Sequence, residues 1–308
     1  MVEVTASLVK ELRDKTSAGM MDCKKALVEN KGDIEAASDW LRSKGLSAAA
    51  KKSDRVTSEG LIGLAIEDCC GALIEVNAET DFVGRNIAFQ EFVSTTASLA
   101  LQSKGDIDTL LTQPYLRENR NVHEELTHQI STIGENMSIR RVEYLSIDNG
   151  IVASYMHNSL TPSLGKIGVL VTLNSKADTK FLKDLGKQIA MHIAATKPLS
   201  VSKEELDPAI IQKERKILTQ QAIDTGKPKE IVEKMLDGRM RKYFEEVCLL
   251  DQTFVIDGEN KVEKVIELAA KEVGESIEVS DFRIFVLGEG IDKKDENFAS
   301  EVAAAVSG

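Results

Sequence analysis

Residues 72–83, Ala72-Leu73-Ile74-Glu75-Val76-Asn77-Ala78-Glu79-Thr80-Asp81-Phe82-Val83, carry the chain from a strand into a helix. Ala72 to Asn77 have the apolar, β-prone content of a strand. Beyond the joint, Val83, Ile87, Phe92, Ala97 and Leu101 are among the apolar positions of a helix. Thr80 or Asp81 is the expected N-cap, because a short side-chain oxygen there accepts from the free amides of a first helical turn. Phe82 is the odd member, a large apolar residue beside an acid where a polar loop is expected. It either folds back onto its own helix as a hydrophobic staple or stands exposed for another surface.

Working outward, residues 61–66 alternate like a strand and pair with 72–77 as a hairpin turning near 67–71. Downstream lie a polar stretch over 102–118 broken by Pro114, a helix with Val122, Leu126 and Ile130, and a strand at 138–145. That order then repeats. Residues 151–157 and 167–173 form two strands around an extended turn at 159–166, and the return strand ends at Asn174 as the first ends at Asn77. A helix with Phe181, Leu182, Leu185, Ile189 and Ile193 follows, and a closing strand covers 277–287. Gly134-Glu135 and Gly274-Glu275 precede the last strand of each copy. The fold class is α+β, with a duplicated core subdomain of antiparallel strands and helices.

Residues 1–54 read as a docking module of three short helices, the second carrying Met20, Met21, Cys23, Ala26 and Leu27, the third capped by Asp33 and ending at Gly45. Residues 48–54 read as a helical or flexible linker. The core subdomains are expected at 55–148 and 149–290. The second contains an insertion at about 204–247, where two amphipathic helices around Thr225-Gly226-Lys227-Pro228 form an antiparallel hairpin. A C-terminal tail at 291–308 holds a short helix over 298–306.

The chain has 308 residues and a formal net charge of −11, which argues against a general nucleic-acid or anionic-membrane binder. No apolar run spans a bilayer and no signal or transit segment is visible, so a cytoplasmic protein is expected. Four cysteines without a Cys-x-x-Cys pair read as reduced, mostly buried thiols. His123, His128, His157 and His192 lack ligand spacing, so no metal and no cofactor are expected. Gly165-Lys166 lacks the remainder of a phosphate loop, and no nucleophile elbow or His-Glu-x-x-His occurs. Three classes of function compete on these grounds: a non-enzymatic factor that holds another protein, a structural adaptor recruiting a complex through the hairpin or the N-terminal module, and a small-molecule enzyme with a polar core pocket.

Several segments, taken in order along nearly the whole chain, resemble the elongation factor Ts family. They are Ala6-Ser7-Leu8-Val9-Lys10-Glu11-Leu12-Arg13, the run from Ala18-Gly19-Met20-Met21 to Ala26-Leu27, and Glu75 to Val83, joined by Ile133-Gly134-Glu135-Asn136, Ile139-Arg140-Arg141-Val142 and Gly226-Lys227-Pro228-Lys229-Glu230-Ile231. Ser17 departs from a common glycine. The resemblance implies a ubiquitin-associated-like N-terminal module, a duplicated core and a projecting coiled coil. It implies guanine-nucleotide exchange on the GTPase elongation factor Tu, with no direct nucleotide binding by this chain. Thr80, Asp81, Phe82 and Val83 would then disturb the partner's magnesium site. Met20, Met21 and Lys24 would contact its GTPase domain, and Ile133, Gly134 and His157 would add contacts. On this reading Phe82 is exposed in the free protein.

Overall fold

The computed structural model describes residues 4–16, 18–67, 69–115, 120–223 and 229–292. The expected turn at 225–228, the tail helix at 298–306 and Ser17 lie outside them. Three helices open the chain: α1 (Ala6–Thr16), α2 (Met20–Glu29) and α3 (Ile34–Ala50). Leu12, Cys23, Ala26, Leu27 and Ala37 are fully buried between them. Asp33 caps α3, its carboxylate accepting from the Ala36 amide at 3.0 Å. The third helix does not end at Gly45 but runs through it to Ala50. Gly45 is a packing residue: a Cβ there would lie 3.3 Å from Ser131 Oγ. The Arg42 guanidinium also pairs with Glu124. The module is thereby seated on the core.

The first copy contains β1 (Glu59–Glu67), β2 (Cys70–Ala78), a 3-10 turn at Val83–Arg85 and α4 (Ile87–Ser103). It continues with α5 (Ile107–Thr112), the short strands β3 (Pro114–Tyr115) and β4 (Arg120–Asn121), α6 (Val122–Ile133) and β5 (Met137–Ser146). The second copy holds β6 (Gly150–His157), β7 (Leu164–Gly165), β8 (Ile167–Asn174) and α7 (Thr179–Thr196). After the inserted helices α8 (Pro208–Ile223) and α9 (Lys229–Val247), it closes with α10 (Val262–Val273) and β9 (Glu278–Val286).

All strand pairs are antiparallel, in sheets ordered β5-β2-β1-β7 and β6-β8-β9, with β3-β4 a separate ribbon. In both copies the return arm of the hairpin is central and pairs with the late strand. Each of those pairings has one irregularity at the same place, between Glu75 and Val76 and between Thr172 and Leu173. Gly60 and Gly150 sit opposite Asn77 and Asn174, with φ of +121° and +130°. An added Cβ would meet the carbonyl oxygens of Val76 and Leu173 at 2.1 and 1.9 Å, so only glycine fits.

Alternation along the strands sorts the core into layers. Leu61, Ala72, Ile74 and Val76 face α4 and α6. Ile62, Leu64 and Leu73 point the other way and meet Val152, Met156, Leu170 and Phe285 of the second sheet. Ile151, Ala153, Val169, Val171 and Leu173 then face α7 and α10. The body is a helix–sheet–sheet–helix sandwich.

Other expectations also need correction. α5 and α10 lie outside the sequence expectations, and the turn at 159–166 contributes β7, which pairs with β1 and extends the first sheet. Cys23 and Cys248 are buried, but Cys69 is exposed and Cys70 half-buried, because they occupy the tip of the first hairpin. The hairpin helices pack antiparallel, burying Ala222, Val232, Leu236 and Met240, with Arg239 Nη1 donating to Gln221 Oε1 at 3.3 Å. No helix among the described residues is long and apolar enough to cross a membrane.

Candidate partner-binding site

The joint after β2 is not a simple cap. Asn86, rather than Thr80 or Asp81, caps α4, accepting from the amides of Ala88 at 2.9 Å and Phe89 at 3.4 Å. The helix starts later because Val83–Arg85 first makes a 3-10 turn, closed by Arg85 N donating to the Phe82 carbonyl at 3.0 Å and Asn86 N to that of Val83 at 2.9 Å. Val83 is buried against Leu61 and Phe89 in the core of the first copy, and so anchors the joint from below. Phe82, one residue earlier, is 72 % exposed, and Asp81 is exposed beside it. Ile87, at the head of α4, is also 72 % exposed. Phe82 is therefore not stapled. An apolar tip stands on a buried foot.

Thr80 is held differently, by a carboxylate from a distant segment. Its amide donates to Glu135 Oε2 at 2.9 Å and its hydroxyl to Glu135 Oε1 at 2.6 Å. The return contact is reciprocal, since the Asn136 amide donates to a carboxylate oxygen of Glu79. Asn136 Nδ2 reaches the carbonyls of Ser53 and Arg55 at 3.4 and 2.9 Å, and Arg55 lies 3.4 Å from the Glu79 carboxylate. Three segments meet there: the exit from α3, the end of β2 and the start of β5.

That junction brings Ile133 and Gly134 into the same neighbourhood, as they immediately precede Glu135. Ile133 is half-buried, and Gly134 is an exposed C-cap of α6 with φ of +90°. His157 is exposed at the end of β6 with Nδ1 3.1 Å from the Tyr155 hydroxyl. Lys166 bridges the end of β6 and the start of β1: its backbone N donates to the His157 carbonyl and its Nζ to the carbonyl of Gly60. The Gly60 carbonyl in turn lies 3.6 Å from where a Cβ on Gly84 would stand. Met20, Met21 and Lys24 are all exposed on α2, the methionines at 58 % and 74 %. Val28, four residues beyond Lys24, extends that face and is also exposed. Val28 and Ile87 are surface apolar residues that the sequence reading missed; their apolar side chains made them look like ordinary core positions.

Elsewhere the chemistry is sparse. Glu75 is fully buried and balanced by Arg140 and Arg141, while Gly288 N donates to it at 2.8 Å. This cluster ties β9 to the first sheet. A groove of about 380 Å³ runs along the base of the α8–α9 hairpin between Ile211, Arg215, Met240 and Phe244, and no residue of the Thr80–Val83 joint lines it. Among the described residues no group of three His, Cys, Asp or Glu side chains is arranged to hold a metal ion.

Comparison with known proteins follows the same lines as the fold. The family model for elongation factor Ts matches residues 79–289. The elongation factor Ts of Rhodospirillum centenum is 57% identical over 304 residues, covering 99% of both chains. That of Rhodospirillum rubrum is 56% identical over 305 residues, again with 99% of each covered. That of Parvibaculum lavamentivorans is 54% identical over 308 residues, covering 100% of both.

Proposed function

This chain belongs to the elongation factor Ts family, and on that premise we propose that it is a cytoplasmic guanine-nucleotide exchange factor, itself not an enzyme. It binds the GDP complex of elongation factor Tu and promotes replacement of GDP by GTP. Asp81 and Phe82 enter the partner near its magnesium and phosphate site, on the base formed by Thr80 and Val83. Met20, Met21 and Lys24 dock on the GTPase domain, and Ile133, Gly134 and His157 add contacts around the inserted pair. The observation that carries this reading is the 72 % exposure of Phe82 directly beside the buried Val83.

A GTPase holds GDP through phosphate-cradling amides, a lysine and magnesium. Nanomolar affinity corresponds to about 12 kcal/mol, so unassisted release is slow. The factor offsets part of that by binding the nucleotide-free partner more tightly than the loaded one. Coupling is reciprocal, and incoming GTP therefore expels the factor. A rigid aromatic wedge shifts packed side chains between discrete arrangements rather than deforming them smoothly. An ionised Asp81 only accepts hydrogen bonds, so it competes for the donors that orient the metal's water shell.

Stopped-flow release of fluorescent GDP from elongation factor Tu tests the proposal. The wild-type chain accelerates release, and the Asp81→Ala/Phe82→Ala double variant loses at least about tenfold of that rate, or roughly 1.4 kcal/mol. Full acceleration by the double variant rejects the insertion mechanism; no acceleration by the wild type rejects the function.

A further inference from the structure

We propose that Glu135 is a positioning residue that fixes the Asp81–Phe82 pair for insertion; this rests on the exchange reading above. The inserted pair has little structure of its own to hold it. Phe82 and Asp81 both project into solvent, and among the described residues neither side chain makes a hydrogen bond that fixes its direction. Their orientation is set by the backbone at either end. On the C-terminal side that backbone is fixed by the 3-10 turn and the buried Val83. On the N-terminal side it is fixed by Glu135.

Both oxygens of that carboxylate are engaged, one by the Thr80 amide and one by the Thr80 hydroxyl, at 2.9 and 2.6 Å. Two charge-assisted bonds to one residue define its direction as well as its place. Glu79 accepts in the opposite sense from the Asn136 amide, so the two strand ends are cross-clamped. The same junction receives the exit of the docking module through Asn136 Nδ2 and Arg55. A factor that docks with one module and inserts with another needs a fixed path between them, and Glu135 and Glu79 supply it. Misplacing a wedge by about an ångström costs rate more than affinity, because most of the docking surface is untouched.

The test is the rate of fluorescent GDP release from elongation factor Tu as a function of factor concentration. Glu135→Ala is expected to lower the maximal rate about tenfold while the half-saturating concentration changes by less than about twofold. Glu135→Gln, which can accept from the Thr80 amide and donate to its hydroxyl, is expected to keep at least about half of the maximal rate. In the Asp81→Ala/Phe82→Ala background, Glu135→Ala is expected to cost nothing further. Native-state hydrogen exchange provides a readout free of the partner: the Thr80 amide loses protection in Glu135→Ala and keeps it in the double variant. An undiminished maximal rate in Glu135→Ala overturns the proposal, and so does an unchanged Thr80 protection. A loss confined to the half-saturating concentration, or a full further loss in the double-variant background, assigns Glu135 to direct contact or general stability and overturns it as well. If the double variant itself releases GDP at the wild-type rate, the insertion reading fails on its own evidence while the exchange protection still reports the clamp.

Discussion

Glu75 carries a carboxylate with no exposure to water, and it persists because four donors converge on it. Arg140 and Arg141 approach to 3.2 and 2.5 Å, Gly288 N to 2.8 Å and Asn77 Nδ2 to 3.0 Å. Arg141 also lies over the Phe285 ring, with 4.2 Å from its guanidinium carbon to the ring centroid. Removing the carboxylate leaves two guanidinium groups facing each other across an unfilled site. Glu75→Ala is expected to cost about 3 kcal/mol, the lower end for a broken buried pair because both arginines keep some contact with water. Urea unfolding measures this as a lower midpoint, and an unchanged midpoint rejects the role given to the cluster. Residues of this kind divide by whether their meaning is local. Phe82 was legible because an aromatic in a polar joint is conspicuous without any knowledge of its neighbours. Asn86, directly before Ile87-Ala88-Phe89, was missed as the cap, because Thr80 and Asp81 offer the same chemistry earlier in the chain. Glu135 was visible as part of a repeated Gly-Glu pair and of the Ile133-Gly134-Glu135-Asn136 segment, but not as a clamp. Its partner lies 55 residues away, and nothing local announces that contact.

At the scale of elements, the inserted hairpin is expected to be separable from the body. Its two stems enter side by side: Leu199 N donates to the Val247 carbonyl at 2.8 Å, and Leu249 N to that of Ser200 at 2.9 Å. The chain thus leaves and re-enters the core at one point, so a short flexible linker replacing residues 208–246 closes a small loop at little entropic cost. The excised protein is expected to keep its thermal transition within a few degrees and to retain most of its acceleration of GDP release. Collapse of the transition shows the hairpin to be part of the fold; loss of all activity favours the adaptor reading of the chain. The element order was largely readable because strands and amphipathic helices declare themselves by period. Val262, Ile266 and Ala269 show the same helical spacing and are buried, yet α10 lies in the stretch between the insertion and the last strand, where no repeat partner had been defined. The counterpart is α6, since both helices end at a left-handed glycine, Gly134 or Gly274, directly before a glutamate. β7 was hidden for another reason. Two residues carry no period, and their strand character comes wholly from pairing with Ile62 and Gly63.

For the whole molecule, two copies stacked sheet to sheet make a body with few ways to yield locally, so its response to pH is expected to be cooperative. Two histidines are built into it in the neutral form. Burial, with a smaller contribution from Arg120, pushes His128 on α6 down to about 4. Burial likewise lowers His192, whose ring is fixed as one tautomer: Nδ1 accepts from Val255 N at 3.2 Å and Nε2 donates to Gln252 Oε1 at 2.9 Å. An unfolded histidine takes up its proton near pH 6.5. Below that value the unfolded chain binds protons that the folded one refuses, so stability is fully present above about pH 6.5 and declines as pH falls toward the folded values. The slope is at most about 1.4 kcal/mol per pH unit for each histidine, and less for His128, which keeps part of its surface in water. Urea midpoints measured between pH 7 and 5, above the range where most carboxylates titrate, isolate this contribution. The wild type is expected to weaken progressively below about pH 6.5, and His128→Gln to weaken less steeply, keeping more than half of that slope. A wild-type midpoint that stays flat from pH 7 to 5 contradicts the assignment, because the buried His192 and the half-buried His128 cannot be protonated without cost.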